Sequence, residues 1–141
     1  MPFDSDPFTL VERAPTVDEF LFLREQTGLG RRSRMAAEKG VGGGLYAVII
    51  EHEGRAIGMG RIVGDGGTTF QVTDIGVLPD YRGKGLGLRI MSALMHWLEE
   101  NVPETGFVSL IADTGSAPFY ERFGFKVRPI ERPGMTWKRQ V

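Results

Sequence analysis

The sequence of 141 residues contains no cysteine. Its absence excludes disulfide bonds, thiolate metal sites and a cysteine nucleophile. Only two histidines occur, His52 and His96, and their positions match no metal-ligand spacing. A metal site is therefore not expected, although one built from carboxylates alone stays open.

An excess of charge of one sign is also missing. The chain has 17 basic and 18 acidic residues, for a formal net charge of -1. A protein that binds polyanions normally carries a basic excess, so nucleic acid is not an expected partner. With 41% hydrophobic and 25% charged residues, the composition is that of a globular protein, and the length predicts a single domain over residues 1–141.

Long hydrophobic runs are missing as well. No segment approaches the length of a membrane span, and the first residues, MPFDSDPF, are acidic where a signal peptide would be basic. The expectation is a cytoplasmic protein that does not associate with a membrane.

Hydrophobic periodicity in the first half predicts a helix within a meander of strands. FTLVERA (8–14) reads as a short strand, and TVDEFLFLREQTG (16–28) reads as a helix that begins near Thr16 or Asp18 and ends at Gly28. RRSRMAAEKG predicts a second short helix ending at Gly40. Three antiparallel strands are predicted between residues 45 and 78, with turns at HEGR and GDGG.

The second half predicts a strand between two helices. LGLRIMSALMHWLEENV (86–102) has the pattern of a long helix with Leu88 among its apolar positions, GFVSLIAD (106–113) that of a strand, and SAPFYERFG (116–124) that of a short helix. MTWKR (135–139) predicts a last strand. The order strand, helix, strand implies one parallel pair in a mostly antiparallel sheet, so the predicted fold class is α/β with a mixed sheet.

The segment YRGKGLG (81–87) joins a predicted strand to the long helix and contains three glycines and two cations. A helix N-terminus offers unpaired N–H donors, and glycines let an anion approach the backbone, so the segment could bind phosphate. Alternatively, the glycines only permit positive φ. Neither the Walker pattern nor the dinucleotide fingerprint fits, because Leu78 and Leu88 stand where each needs a glycine. The pattern that fits is Arg-x-x-Gly-x-Gly from Arg82 to Gly87.

Two motifs resemble those of the GCN5-related N-acetyltransferase (GNAT) family. DIGVLPDYRGKGLGLRIM (74–91) is similar to its acetyl-coenzyme A motif, and SAPFYERFGF (116–125) to the tyrosine-bearing helix that follows. The resemblance implies the GNAT fold, with a splayed parallel strand pair and roughly four helices. IADTGSAPFYERFGF and GMTW look most like the plastid arylalkylamine (serotonin-type) acetyltransferases and their bacterial relatives, which leaves the acceptor open.

The family resemblance implies acetyl-coenzyme A as acetyl donor. Backbone amides from Gly83 to Leu88 would bind its pyrophosphate, main-chain groups of Ile75 and Val77 its pantetheine arm, and the amide near Ile75 would polarise the thioester. Asp113 stands where many members have asparagine, so its contact with the donor stays open. The implied donor-binding residues are Ile75, Gly76, Val77, Arg82, Gly83, Lys84, Gly85, Leu86, Gly87, Leu88 and Asp113.

Two residues are candidates for catalysis. Tyr120 aligns with the family tyrosine that protonates the departing thiolate, although a tyrosine there could also be packing. Asp74 lies in an apolar strand beside the expected thioester, where it could bind a cationic amine or relay a proton, or else point to solvent. Some members have a glutamate where this chain has Gln71, which cannot act as a base.

The resemblance places the acceptor site under TGLGRRSRMAAEKGVGGG (27–44). Arg31, Arg32 and Arg34 could close over an anionic group or form a solvated charged face. The predicted reaction is direct acetyl transfer to a primary amine, with a small molecule favoured as acceptor. Alternatives are a non-catalytic acyl-coenzyme A sensor and a protein lysine or N-terminal acetyltransferase. A homodimer is also open, because dimers are frequent in the family.

Overall fold

The structure, a computed structural model, describes residues 6–140 and contains one five-stranded sheet with the order β1-β2-β3-β4-β5. The first three strand pairs are antiparallel and β4 pairs with β5 in parallel, which confirms the predicted α/β class with a mixed sheet. The strands are β1 Thr9–Val11, β2 Tyr46–His52, β3 Arg55–Gly64, β4 Thr69–Val77 and β5 Phe107–Ser109; the helices are α1 Val17–Thr27, α2 Arg34–Gly40, α3 Leu86–Asn101 and α4 Ala117–Glu121.

The described chain divides into two compact units between Leu110 and Ile111. The first contains the whole sheet and helices α1 to α3, and the second contains α4. The prediction of a single domain stays a prediction. Within residues 6–140, no helix combines the length and the hydropathy that a membrane span requires.

Helix α1 begins and ends where the sequence predicts. The Thr16 side chain accepts a hydrogen bond from the Glu19 amide, and the Glu19 side chain accepts one from the Thr16 amide, which forms a capping box. Gly28 ends the helix in the left-handed conformation, with φ 84°. Helix α1 buries Phe20, Leu23 and Arg24, so an arginine is part of its inward face.

Helix α3 packs directly on β3 because β3 has a glycine at the contact. A Cβ atom at Gly60 would lie 2.5 Å from Ile90 Cγ2 and 3.1 Å from Leu94 Cδ1. Both side chains are fully buried. Leu88, one of the apolar positions of the predicted helix, is not part of its buried face, because the residue is 41% exposed at the first turn.

A bulge in β4 changes which face of the sheet its side chains occupy. Arg61 pairs with Thr73 and Met59 with Gly76, so both Asp74 and Ile75 lie opposite the single residue Gly60. Asp74 has a φ of 59°. Side chains normally alternate between the faces of a strand, and an extra residue interrupts that alternation.

The two faces of β4 show the effect of this bulge. Phe70, four residues before Asp74, packs against Trp97 of α3, with 6.3 Å between the ring centroids. Strict alternation would turn Asp74 toward α3 as well. Asp74 instead contacts Arg24 of α1. The bulge therefore directs this carboxylate to the α1 face of the sheet.

The predicted last strand, MTWKR (135–139), is not formed. These residues have no regular secondary structure, and Met135 and Trp137 are 90% and 79% exposed. A strand needs both a hydrogen-bonded neighbour and an apolar surface for its alternate side chains, and a local sequence pattern supplies neither. The strand predicted over residues 106–113 is also shorter than expected, since β5 ends at Ser109.

Candidate active site

The glycine-rich loop joins β4 to α3 and leaves the start of that helix without a side-chain cap. Gly83 and Gly85 both have a φ of 78°, a conformation that favours glycine. Gly85 is the N-cap residue and has no side chain that could accept a hydrogen bond from the first turn. The amides of Leu86, Gly87 and Leu88 therefore receive no capping side chain and can bind an acceptor group from outside the helix.

Gly87 differs from the other two glycines of this loop. It lies inside α3, its φ is not in the left-handed region, and a Cβ atom placed on it would have no neighbour within 4 Å. Neither backbone conformation nor internal packing therefore requires glycine here, while glycine costs about 0.5–1 kcal/mol relative to alanine in a helix. Glycine at this position leaves the backbone amides at the start of α3 open to approach.

The two cations of the loop have different surroundings. The Arg82 guanidinium donates hydrogen bonds to the carbonyl of Val77, at 3.0 Å, and to that of Thr27, at 3.1 Å. It therefore ties the loop to the ends of β4 and α1. Lys84 is exposed. A direct contact of either cation with the donor stays a prediction.

Strand β4 extends beyond the region in which it pairs with its parallel neighbour β5. The two strands pair only from Thr69 to Gln71, opposite residues 107–109, whereas β4 continues to Val77. Main-chain groups between Val72 and Val77 on that edge are consequently not used in a ladder with β5. This is the splayed pair that the resemblance implied, and it includes Ile75, Gly76 and Val77.

Close packing against the end of α1 explains why residue 76 is a glycine. A Cβ atom there would lie 2.8 Å from Thr27 Oγ1 and 3.2 Å from Leu29 Cδ1. The end of α1 thus lies against the backbone of β4 next to Ile75. The main chain at the predicted thioester position is held by this contact and by the pairing of β4 with β3.

Asp74 is buried between two arginines. Its Oδ2 accepts a hydrogen bond from Arg61 at 2.9 Å, and its Oδ1 accepts one from Arg24. All three residues are at most 8% exposed. The alternative in which Asp74 points to solvent is therefore wrong. A role in binding the amine or relaying its proton stays a prediction, and both carboxylate oxygens already have guanidinium donors.

The two arginines are held by further hydrogen bonds. Arg24 Nε donates to the carbonyl of Gly30 at 3.0 Å, and an Arg61 terminal nitrogen donates to that of Gly40 at 2.9 Å. Both guanidinium groups lie over the Phe20 ring, at 5.8 and 5.5 Å from its centroid. The cluster of Asp74, Arg24 and Arg61 thus connects the sheet to the segment between α1 and β2, through the carbonyl groups of Gly30 and Gly40.

Sequence reasoning missed Arg24 and Arg61 as members of this site. A signal was present, because Arg61 interrupts the apolar strand AIGMGRIV and Arg24 follows the apolar stretch FLFL. A charged residue in a buried element requires a partner of opposite charge. Applying that rule to Arg61 as well as to Asp74 would have suggested the pair.

A cavity of about 480 Å³ lies beside this cluster on the α1 face of the sheet. We call it the basic cavity, because three of its lining side chains are cationic. Its walls come from α1 and the loop after it, from α2 and the turn that follows, and from β3 and β4. The lining residues are Phe20, Arg32, Ala36, Ala37, Lys39, Gly40, Val41, Gly43, Arg61, Val63, Thr73 and Asp74.

The second unit contains the predicted proton donor. Tyr120 lies in α4, is half-buried, and packs edge-to-face on Phe119 with 5.1 Å between ring centroids. Burial, and then the charge of Asp113, raise the pKa of Tyr120. A raised pKa keeps the phenol protonated. Asp113 is exposed, and its carbonyl accepts hydrogen bonds from the amide and hydroxyl of Ser116, at 2.9 and 2.7 Å.

The residues between Asp6 and Gln140 include no cluster of three or more histidine, aspartate or glutamate side chains that could hold a metal ion. Two features of the first unit could bind a ligand: β4, which extends past its parallel neighbour β5, and the start of α3, whose amides have no side-chain cap. Both belong to the acetyltransferase type of α/β fold that the sequence resembles.

Comparisons with known proteins agree. A family model described as an acetyltransferase (GNAT) domain matches residues 43–127. A probable acetyltransferase of unknown function from Staphylococcus aureus has a similar structure, with a TM-score of 0.88 and 38% identity over 94% of this chain and 99% of that one. A ycf52-like N-acetyltransferase of Prochlorococcus marinus is 30% identical over 89% of this chain and 72% of its own length. The chain belongs to the GNAT family.

The matched plant relatives are longer proteins. The chloroplastic GCN5-related N-acetyltransferase 2 of Arabidopsis thaliana is 33% identical over 62% of this chain, but the match covers 33% of the plant protein. The chain thus spans about a third of the length of the first curated relatives that it matches.

Proposed function

We propose that this protein transfers the acetyl group of acetyl-coenzyme A to a primary amine of a small molecule. The observation that carries the proposal is the loop before α3, where Gly85 supplies no cap and Gly87 has no internal reason to be glycine. Family membership supports the same donor.

The donor would bind along the loop and the unpaired edge of β4. Amides from Gly83 to Leu88 would hold the pyrophosphate, which also lies at the positive end of the α3 dipole. Main-chain groups of Ile75 and Val77 would hold the pantetheine arm. These donors are fixed by the sheet before the substrate arrives, so an amide near Ile75 can stabilise the negative charge that forms on the thioester carbonyl oxygen without reorganisation.

The chemical step is a direct attack of the amine on the thioester. The amine must first lose a proton, and Gln71 cannot accept one. Water, Asp74 or deprotonation of the amine in solution supplies this step. Tyr120 would then give its proton to the coenzyme A thiolate as the C–S bond breaks. Acetyl-coenzyme A and the amine are converted to the acetamide and the free thiol, so no covalent enzyme intermediate is needed.

The first experiment is a calorimetric titration of the purified protein with acetyl-coenzyme A, with NAD and ATP as controls. We expect binding of acetyl-coenzyme A alone. A folded protein that does not bind it would contradict the proposed donor site. Because the chain has no cysteine, a thiol-reactive dye then follows coenzyme A release without protein background, and turnover with any amine excludes a purely sensory role.

A further inference from the structure

The basic cavity reaches the part of β4 where acetyl transfer is proposed. Thr73 and Asp74 line it, and they immediately precede Ile75, whose amide is proposed to polarise the thioester. Residues in a strand rise about 3.4 Å each, so this wall lies within two residues of the proposed reaction centre. A molecule bound in the cavity is therefore placed to present an amine there.

The charge of the cavity is positive. Its ionisable lining residues are Arg32, Lys39, Arg61 and Asp74. The only carboxylate among them is already paired with two guanidinium groups, since Arg24 also donates to it. Arg32 and Lys39 are exposed at the cavity wall, and no lining carboxylate offsets their charge.

Arg61 also carries an unused donor. Its Nε atom is buried and has no hydrogen-bond partner among the described residues. A buried donor without an acceptor is costly and normally has an explanation. Arg61 forms part of the cavity wall and shares Asp74 with Arg24, so an anionic ligand in the cavity supplies the counter-charge that Asp74 only partly provides.

We infer that the acceptor is an amine that also carries a carboxylate or phosphate group, and that the basic cavity binds this group. The inference rests on the proposed acetyl transfer. It narrows the acceptor class, because polyamines and simple arylalkylamines have no anion for the cavity to bind. Arg32 and Lys39 are the specificity-determining residues, since their charge has no partner in the cavity.

The same charge assists the chemistry. A cationic environment disfavours a second cation, so it lowers the pKa of a bound ammonium group and favours the neutral amine that attacks. Gln71 offers no base at this strand, and both oxygens of Asp74 have guanidinium donors. An anionic group on the acceptor offsets the repulsion and keeps such a molecule bound.

Matched acceptor pairs test the inference. Phenylalanine is compared with 2-phenylethylamine, and glucosamine 6-phosphate with glucosamine, so that each pair differs in the anionic group; spermidine is the purely cationic probe. In at least one pair we expect kcat/KM to be about tenfold higher for the anionic member, through KM. The two pairs distinguish a carboxylate from a phosphate.

The double variant Arg32→Gln/Lys39→Gln should reduce that preference to about twofold or less. Both side chains are exposed, so the variant should fold. Arg55→Gln is the matched control, because Arg55 is an exposed cation at the start of β3 and does not line the cavity. A titration with N-acetylphenylalanine or N-acetylglucosamine 6-phosphate, without donor, should show binding that weakens with added salt.

Equal or better turnover by the wild-type protein of the probes that lack an anionic group would overturn the inference. A preference that survives in the double variant would do so as well. Failure of the proposed function looks different, because acetyl-coenzyme A would then not bind, or would bind without turnover of any amine. Donor binding with equal turnover of amines that carry no anionic group would leave acetyl transfer standing and refute only the assignment of the anion.

Discussion

Replacing Gly87 with alanine should change stability and donor affinity in opposite directions. A Cβ atom at this position has no neighbour within 4 Å and meets no unfavourable φ. The substitution therefore adds helix propensity without a clash, and we expect unfolding free energy to rise by about 0.5–1 kcal/mol. For a chain of this size, that corresponds to a melting temperature about 2–5 °C higher.

Acetyl-coenzyme A should bind the same variant more weakly. The added methyl group would lie where phosphate oxygens are proposed to approach the amides at the start of α3. Losing one hydrogen bond to a charged group costs about 1.5–3 kcal/mol, so the dissociation constant should rise about 10- to 100-fold. Calorimetric titration gives the affinity, and thermal unfolding without ligand gives the stability.

Ser92→Ala provides the control for the Gly87 variant. Ser92 is exposed in the middle of α3, so alanine should raise helix stability there and leave the dissociation constant unchanged. If Gly87→Ala instead retained the affinity of the wild-type protein within twofold, the glycine would not be serving the donor, and the argument for the loop as a pyrophosphate site would fail.

Three further substitutions test other parts of the structure. Tyr120→Phe should lower kcat about 100-fold and leave donor affinity within a few-fold of the wild-type value, and unchanged turnover would remove Tyr120 from the mechanism. In the wild-type protein, the loss of kcat/KM at alkaline pH should begin above pH 10, because the raised pKa of Tyr120 keeps the phenol protonated. Asp74→Asn should cost about 3–5 kcal/mol in urea unfolding, since it leaves two buried guanidinium groups without their counter-ion, and a loss below about 1 kcal/mol would contradict this. Gly60→Ala should cost about 1–3 kcal/mol by forcing α3 away from β3, whereas Gly67→Ala, which has no neighbour within 4 Å, should change stability little.

The elements that the sequence predicted well are those with local signals. Single residues at each end mark α1, with Thr16 at its start and Gly28 at its end, and the turns of the meander are marked in the same way. The glycine loop was equally visible, because its glycines and the following helix are contiguous. The sequence does not say which of those glycines is required by conformation, because φ is positive at Gly83 and Gly85 but not at Gly87.

The parts that sequence reasoning missed depend on distant residues. The bond between Arg24 and Asp74 joins positions 50 residues apart, and the bulge is a property of the pairing of β4 with β3, in which Gly60 faces two residues. A local pattern contains neither distance nor pairing. The wrong prediction of a strand at 135–139 has the same origin, since the alternation was present but no partner strand receives it.

Because β4 contains a bulge, the number of residues in this strand determines which face of the sheet the Asp74 carboxylate occupies. Only two residues, Asp74 and Ile75, lie between Thr73 and Gly76, opposite Gly60. Deleting Ile75 would restore strict alternation and turn the Asp74 carboxylate into the apolar contact with α3, whereas deleting Asp74 would leave Arg24 and Arg61 without their counter-ion. Relatives that retain the two buried arginines are therefore expected to vary in the loops around β4 while conserving its residue count, and alignments that open a gap here would misplace the charge.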